Sequence, residues 1–153
     1  MPGFPIPPRQ ESPELADDIR DLFNELDADL GPGRRAFAGD CRPSIDVRET
    51  SDAVDVIVDV CGIPPTALRV LFRAGVVIVA GDKIPAPPVA GQTFHLVERE
   101  FGRFARAVHV TGAFDLRAAR ASVALGELRI VLPKLDERRG RPHHIPVSTV
   151  PHA

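Results

Sequence analysis

Val54, Val56, Val58 and Val60 alternate with Asp55, Ile57 and Asp59 in the middle of the chain. Successive side chains of an extended strand point to opposite faces, so this period of two sets all four valines on one side. β-branched residues are stiff at χ1 and suit a pleated, half-buried surface better than a helix. The segment reads as a strand with one face for a core, and its acids are expected to face solvent. A single strand has no stable form in water, so the rest of the chain must supply sheet partners.

The partners are legible on both sides. Ile45-Asp46-Val47 is a short strand before it, and Cys61-Gly62-Ile63-Pro64-Pro65 is a turn after it. Leu68 to Phe72 and Val76 to Val79 flank Ala74-Gly75 and form a hairpin. A long connection from Gly81 to Gln92 carries Pro85, Pro87 and Pro88, and Thr93 to Val97 is a strand candidate near its tip. Such a long irregular connection is expected to have a task of its own. Phe101 to Val110 is a strand with Phe104, Arg106, Val108 and Val110 on one face, and two more strands flank Gly126 between Arg120 and Leu132. Short strands with short connections and no βα alternation predict an all-β fold, an immunoglobulin-like antiparallel β-sandwich over residues 43–134.

Two arms flank it. In residues 1–42, Ser12-Pro13-Glu14 offers an N-cap, a first-turn proline and an acid at the positive helix end. Leu15, Ile19, Leu22, Phe23, Leu26 and Leu30 then recur at helical spacing until Gly31-Pro32-Gly33, giving one short amphipathic helix. Its apolar stripe can dock on its own domain or meet other chains; with nothing in its own segment to pack against, the second is favoured. Residues 135–153 are charged, then proline-punctuated, and read as a flexible tail. That tail still carries Ile145 and Val147 on either side of Pro146.

Net charge is −2 and the arginines alternate with acids, so there is no basic face for nucleic acid. No run approaches the length of a membrane helix, so stable membrane insertion is not expected. The prolines of MPGFPIPPRQ stand where a signal peptide would be apolar, and a cytoplasmic location is expected. Cys41 and Cys61 lack metal-site spacing and read as structural thiols, with Cys61 a small core residue after its strand.

The β-zone resembles the α-crystallin domain of the small heat-shock proteins. The family's Pro-x-x-Asp-x-x-Glu opening stands as Pro43, Asp46 and Glu49. Its Glu-Arg-x-x-Gly-x-Phe-x-Arg signature stands as Glu98, Arg99, Gly102, Phe104 and Arg106. Its late Ala-x-x-x-x-Gly-x-Leu segment stands as Ala121, Gly126 and Leu128, followed by Pro133-Lys134. The stretch DDIRDLFNEL looks like the N-terminal helix common in bacterial members.

The resemblance implies an oligomer built from dimers. Ile145-Pro146-Val147 matches the family's tail anchor, and in an extended segment those two apolar side chains share a side while the proline limits the entropy lost on docking. The implied groove lies between Leu68–Phe72 and Arg120–Leu125, with Val70, Phe72, Val123 and Leu125 as its expected lining. By the same resemblance, Thr93–Val97 is exchanged onto a partner's sheet, with Phe94, Leu96, Arg106 and Glu98 at the dimer interface. His143 and His144 are expected to tune anchor docking rather than bind metal.

No catalytic constellation is present: there is no GxxxxGK, GxSxG or HExxH, so neither enzyme activity nor a cofactor is expected. The expected function is an ATP-independent holding chaperone that captures unfolding proteins under stress, with Leu15, Ile19, Leu22, Phe23 and Leu26 facing clients. The alternative is a non-chaperone adaptor or co-chaperone module on the same sandwich, which the tail motif and the helix disfavour.

Overall fold

The computed structural model describes residues 13–30, 41–135 and 144–147. Helix α1 (Pro13–Leu30) precedes seven strands: β1 (Ile45–Glu49), β2 (Ala53–Asp59), β3 (Leu68–Arg73), β4 (Val76–Lys83), β5 (Gly102–His109), β6 (Arg120–Ala124) and β7 (Glu127–Pro133). They form two sheets, one in the order β1-β2-β7-β6 and one in the order β3-β4-β5, and every pairing is antiparallel. This is the expected β-sandwich with one N-terminal helix. Ser12, the expected N-cap, and Gly31-Pro32-Gly33, the expected stop, lie outside the described residues.

The core forms where the inner faces meet. Val54, Val56, Val58 and Val60 lie against Leu128, Ile130 and Leu132 of β7 and, from the other sheet, Leu68, Val77, Val79 and Phe104. Each fully buried aliphatic side chain contributes roughly 1.5–3 kcal/mol by leaving water. Gly81 and Phe104 are register partners, and the ring lies so close that a Cβ on Gly81 would sit 2.4 Å from Phe104 Cζ. Two-residue turns close the β3–β4 and β6–β7 hairpins. Ala74-Gly75 and Leu125-Gly126 both have positive φ throughout, which matches the right-handed twist of the flanking strands.

The outer face of the three-stranded sheet is apolar as well, and α1 covers it. Leu22 packs with Ile78 and Ala80, and Leu15, Ile19, Phe23, Leu71 and Val76 complete this second cluster. The helix therefore docks on its own domain, the reading the sequence disfavoured. The reason lies in β3 and β4: Leu71 of β3 and Val76, Ile78 and Ala80 of β4 face outward, so the partner that the helix lacks within its own segment is supplied by the sheet.

Three further expectations are corrected. Thr93–Val97 is not a strand of this protomer's sheets; it lies in the connection between β4 and β5 and is exposed throughout. Cys61 is exposed, since β2 ends at Asp59, Val60 is its last buried neighbour, and Cys61 has entered the turn at Gly62. Asp55 is buried rather than solvated: Arg48 Nη2 and Arg129 Nη2 both donate to its Oδ2, at 2.6 and 2.7 Å, and cover it. Only Asp59 behaves as the alternation implied.

Candidate functional site

The surfaces available for assembly follow from the sheet order. β1 and β6 are the edges of one sheet, and β3 and β5 are the edges of the other. An edge strand presents unpaired backbone donors and acceptors and invites another chain unless something blocks it.

At the β1 edge, Val47 is exposed, and Pro43 lies buried just before the strand. Arg106 projects from the inner face of β5, alongside Phe104, and its Nη1 donates to the Pro43 carbonyl oxygen at 2.6 Å. A guanidinium on that face needs such a partner, because an unpaired charge there is costly. The pairing ties one sheet to the start of the other. Sequence reasoning placed Arg106 on the correct face and put it with Glu98 at an interface between chains; in this protomer Glu98 is exposed on the connection that leads to β5. The same connection holds Phe94 and Leu96, 72% and 73% exposed. At its base two cations lie over the Phe101 ring, with the Arg99 guanidinium carbon 4.9 Å and Lys83 Nζ 5.6 Å from its centroid.

The four expected groove residues divide. Val70, Phe72 and Val123 are half-buried at the margin of the core, on the edge strands β3 and β6. Leu125 is not on a strand: it is the first residue of the β6–β7 turn, at φ 52° and fully exposed. The hairpin needs two residues in the left-handed region at that point, and Leu125-Gly126 supplies them. Phe114 went unnoticed in the sequence, yet it stacks edge-on against Phe72 with ring centroids 6.0 Å apart. Its strand-like context is a single bridge to Lys134, too short to leave a periodic signal.

Ile145 and Val147 stand clear of the sandwich, 84% and 97% exposed. His144 beside them is also exposed, and His143 lies outside the described residues. Of the expected client-facing residues, Leu22 and Leu26 are buried and Leu15, Ile19 and Phe23 half-buried against the sheet.

The rim of that helix seat is ionic, which sequence reasoning also missed. Arg73 Nη1 reaches Asp18 Oδ1 at 2.9 Å, and Arg69 pairs with Asp29 and, at 3.8 Å, with Glu25. Arg103 pairs with Asp27, lies 5.5 Å from the Phe23 ring centroid and has its Nε 3.6 Å from Asp82 Oδ2. The signal was present in the alternation of Arg69, Leu71 and Arg73 opposite a helix rich in acids.

The profile of the Hsp20/alpha crystallin family matches residues 46–148. Heat shock protein 16 of Schizosaccharomyces pombe is 26% identical over 141 residues, which cover 90% of this chain and 91% of that protein. Spore protein SP21 of Stigmatella aurantiaca is 30% identical over 95 residues, covering 62% of this chain and 56% of that protein. Among solved structures, heat shock protein 16.0 from S. pombe superposes with a TM-score of 0.62 at 25% identity, over 71% of this chain and 100% of that one. A small heat-shock protein from Xylella fastidiosa gives 0.59 at 26% identity, over 71% of this chain and 98% of that one. The sandwich, its signature residues and these matches agree, and the chain belongs to the Hsp20/alpha crystallin family of small heat-shock proteins.

Proposed function

We propose that this chain is an ATP-independent holding chaperone that works as an exchanging oligomer of dimers. The observation that carries the reading is the exposure of Ile145 and Val147 on a segment outside the sandwich, while Val70, Phe72 and Val123 sit half-covered on the two edge strands β3 and β6. Apolar side chains held outside a core are an assembly or capture device, since soluble proteins otherwise cover such groups. Burying the two anchors gives roughly 3–6 kcal/mol before ordering costs, weak enough for one contact to open. Several such contacts in one particle add through effective concentration, so the assembly persists while its subunits exchange.

The dimer uses the other exposed apolar stretch. Phe94, Leu96 and Val97 lie on a connection that has no strand partner in its own protomer, and β1 offers an open edge. Adding one to the other in trans satisfies main-chain groups and covers both. Clients are unfolding proteins, and their capture needs no nucleotide.

The test is light scattering of a thermolabile enzyme at raised temperature without nucleotide, with intact protein and with Ile145→Ala/Val147→Ala, and native mass of both. Suppressed scatter with a smaller mass for the double variant supports the reading. A stable monomer that leaves aggregation untouched favours the adaptor.

A further inference from the structure

The outer face of β3-β4-β5 has the anatomy of a receptor for one kind of partner. Leu71, Val76, Ile78 and Ala80 form its apolar floor, and Arg69, Arg73 and Arg103 stand around it. Its present occupant is α1, which carries seven acidic residues and one arginine in eighteen positions. The apolar floor supplies the affinity. Each arginine pair has one exposed and one largely covered member, so it adds modest energy and makes a basic or misregistered helix unfavourable.

The seat is also imperfectly sealed. Asp82 and Arg103 face each other across β4 and β5 beneath the helix, yet Asp82 Oδ1 and Arg103 Nε are buried without a hydrogen bond. Lifting the helix would return both to water, which offsets part of the apolar surface exposed at the same moment. The apolar floor holds the helix over a pair whose buried atoms are incompletely hydrogen-bonded, and rehydrating that pair lowers the cost of lifting it.

We propose that this face is a charge-selective docking site for acidic amphipathic helices of unfolding proteins, with α1 as its resident plug. A helix fits when its apolar stripe covers Leu71, Ile78 and Ala80 and its flanking acids reach Arg69, Arg73 and Arg103. The inference adds a partner class to the chaperone reading, but the docking itself stands or falls independently of aggregation suppression.

The test uses the full chain and two fluorescein-labelled peptides: the sequence of residues 13–30, and the same sequence with every acid replaced by lysine. Leu22→Ala/Leu26→Ala loosens the resident helix. In that background the acidic peptide is expected to bind about tenfold more tightly than the basic one at low salt, and the gap to close at about 0.5 M salt. Adding Arg69→Gln, Arg73→Gln and Arg103→Gln should erase the preference. Equal binding of both peptides, or a preference that survives loss of the arginines, overturns the proposal. Should the loosened variant fail to fold, a benzophenone-bearing acidic peptide is applied to the unaltered protein: cross-links on residues 68–109 support the site, and cross-links confined to other segments overturn it. If the acidic peptide is excluded while differently labelled full chains exchange helices, the face admits only a second copy, and the proposed partner class falls.

Discussion

Arg106 and Pro43 are joined by a 2.6 Å hydrogen bond between a side chain of one sheet and the main chain at the threshold of the other. Pro43 has no N–H and cannot anchor itself through a donor of its own, so its carbonyl, together with the Ser44 carbonyl that accepts from the Asp59 N–H, holds the chain entering β1. A role for Arg106 in assembly therefore need not require contact with a second protomer: the guanidinium positions the edge strand on which a partner's segment would add. Arg106→Gly is expected to keep a β-rich circular dichroism spectrum, lower the urea midpoint by an amount equivalent to about 1–3 kcal/mol, and reduce native mass. Unchanged mass would remove the assembly role while leaving the structural one.

Gly81→Ala tests the core at its tightest approach. Phe104 Cζ would lie 2.4 Å and Cε1 2.7 Å from the new methyl carbon, with Leu68 Cδ2 at 3.0 Å on another side. The ring has no free space to take, because it is itself buried among the valines. A loss of about 1–3 kcal/mol is expected in chemical denaturation. Gly81→Ala/Phe104→Leu should recover part of it, which a purely backbone effect at Gly81 would not do.

These two contacts mark the limit of what the sequence made legible. Period-two valines and glycine-bearing turns determine strands, and the strand set implies a sandwich, because each inference needs only near neighbours. Asp55 defeats that logic: its alternation points it to solvent, but Arg48 lies opposite it on β1 and Arg129 diagonally across on β7, and only the register brings them together. The seating of α1 was hidden for the same reason, since the face that receives it is spread over β3 and β4. Leu125 was misplaced by a one-residue error at a strand end, where a hairpin's turn type rather than hydrophobicity decides the boundary. The Thr93–Val97 segment has strand composition without a strand in this protomer, since β-branched and aromatic residues favour a strand only where a neighbouring strand pairs with them.

Asp55 gives stability a definite pH dependence. The hydrogen bond from Arg48, and after it the hydrogen bond and charge of Arg129, hold its carboxyl below the ordinary value, while removal from water opposes them. A carboxyl depressed in the folded state contributes fully above its unfolded value of about 3.9, and the contribution is lost as pH falls through the folded one. Asp55→Asn is therefore expected to cost about 1 kcal/mol at neutral pH. Below the folded-state value the difference should vanish, because asparagine has nearly the shape of the protonated acid. Urea midpoints of both proteins between pH 7 and 2.5 check this, and a difference constant with pH would mean that shape rather than charge sets the cost.

Among the described residues, Leu125 is the one large aliphatic side chain placed where the backbone disfavours it and nothing covers it. At φ 52° its Cβ crowds the following carbonyl, a strain of about 1 kcal/mol that asparagine tolerates better, and Asn-Gly is the preferred pair for this turn. Burial offers no compensation in the protomer, since the side chain is fully exposed. Leu125→Asn is expected to raise the urea midpoint by the equivalent of about 1 kcal/mol with native mass unchanged. The two readouts separate two roles that sequence alone ran together. A more stable protein of the same mass fixes Leu125 as a turn residue. A fall in mass would restore it to the wall of the anchor groove, reached only when Ile145 or Val147 of another chain closes over it.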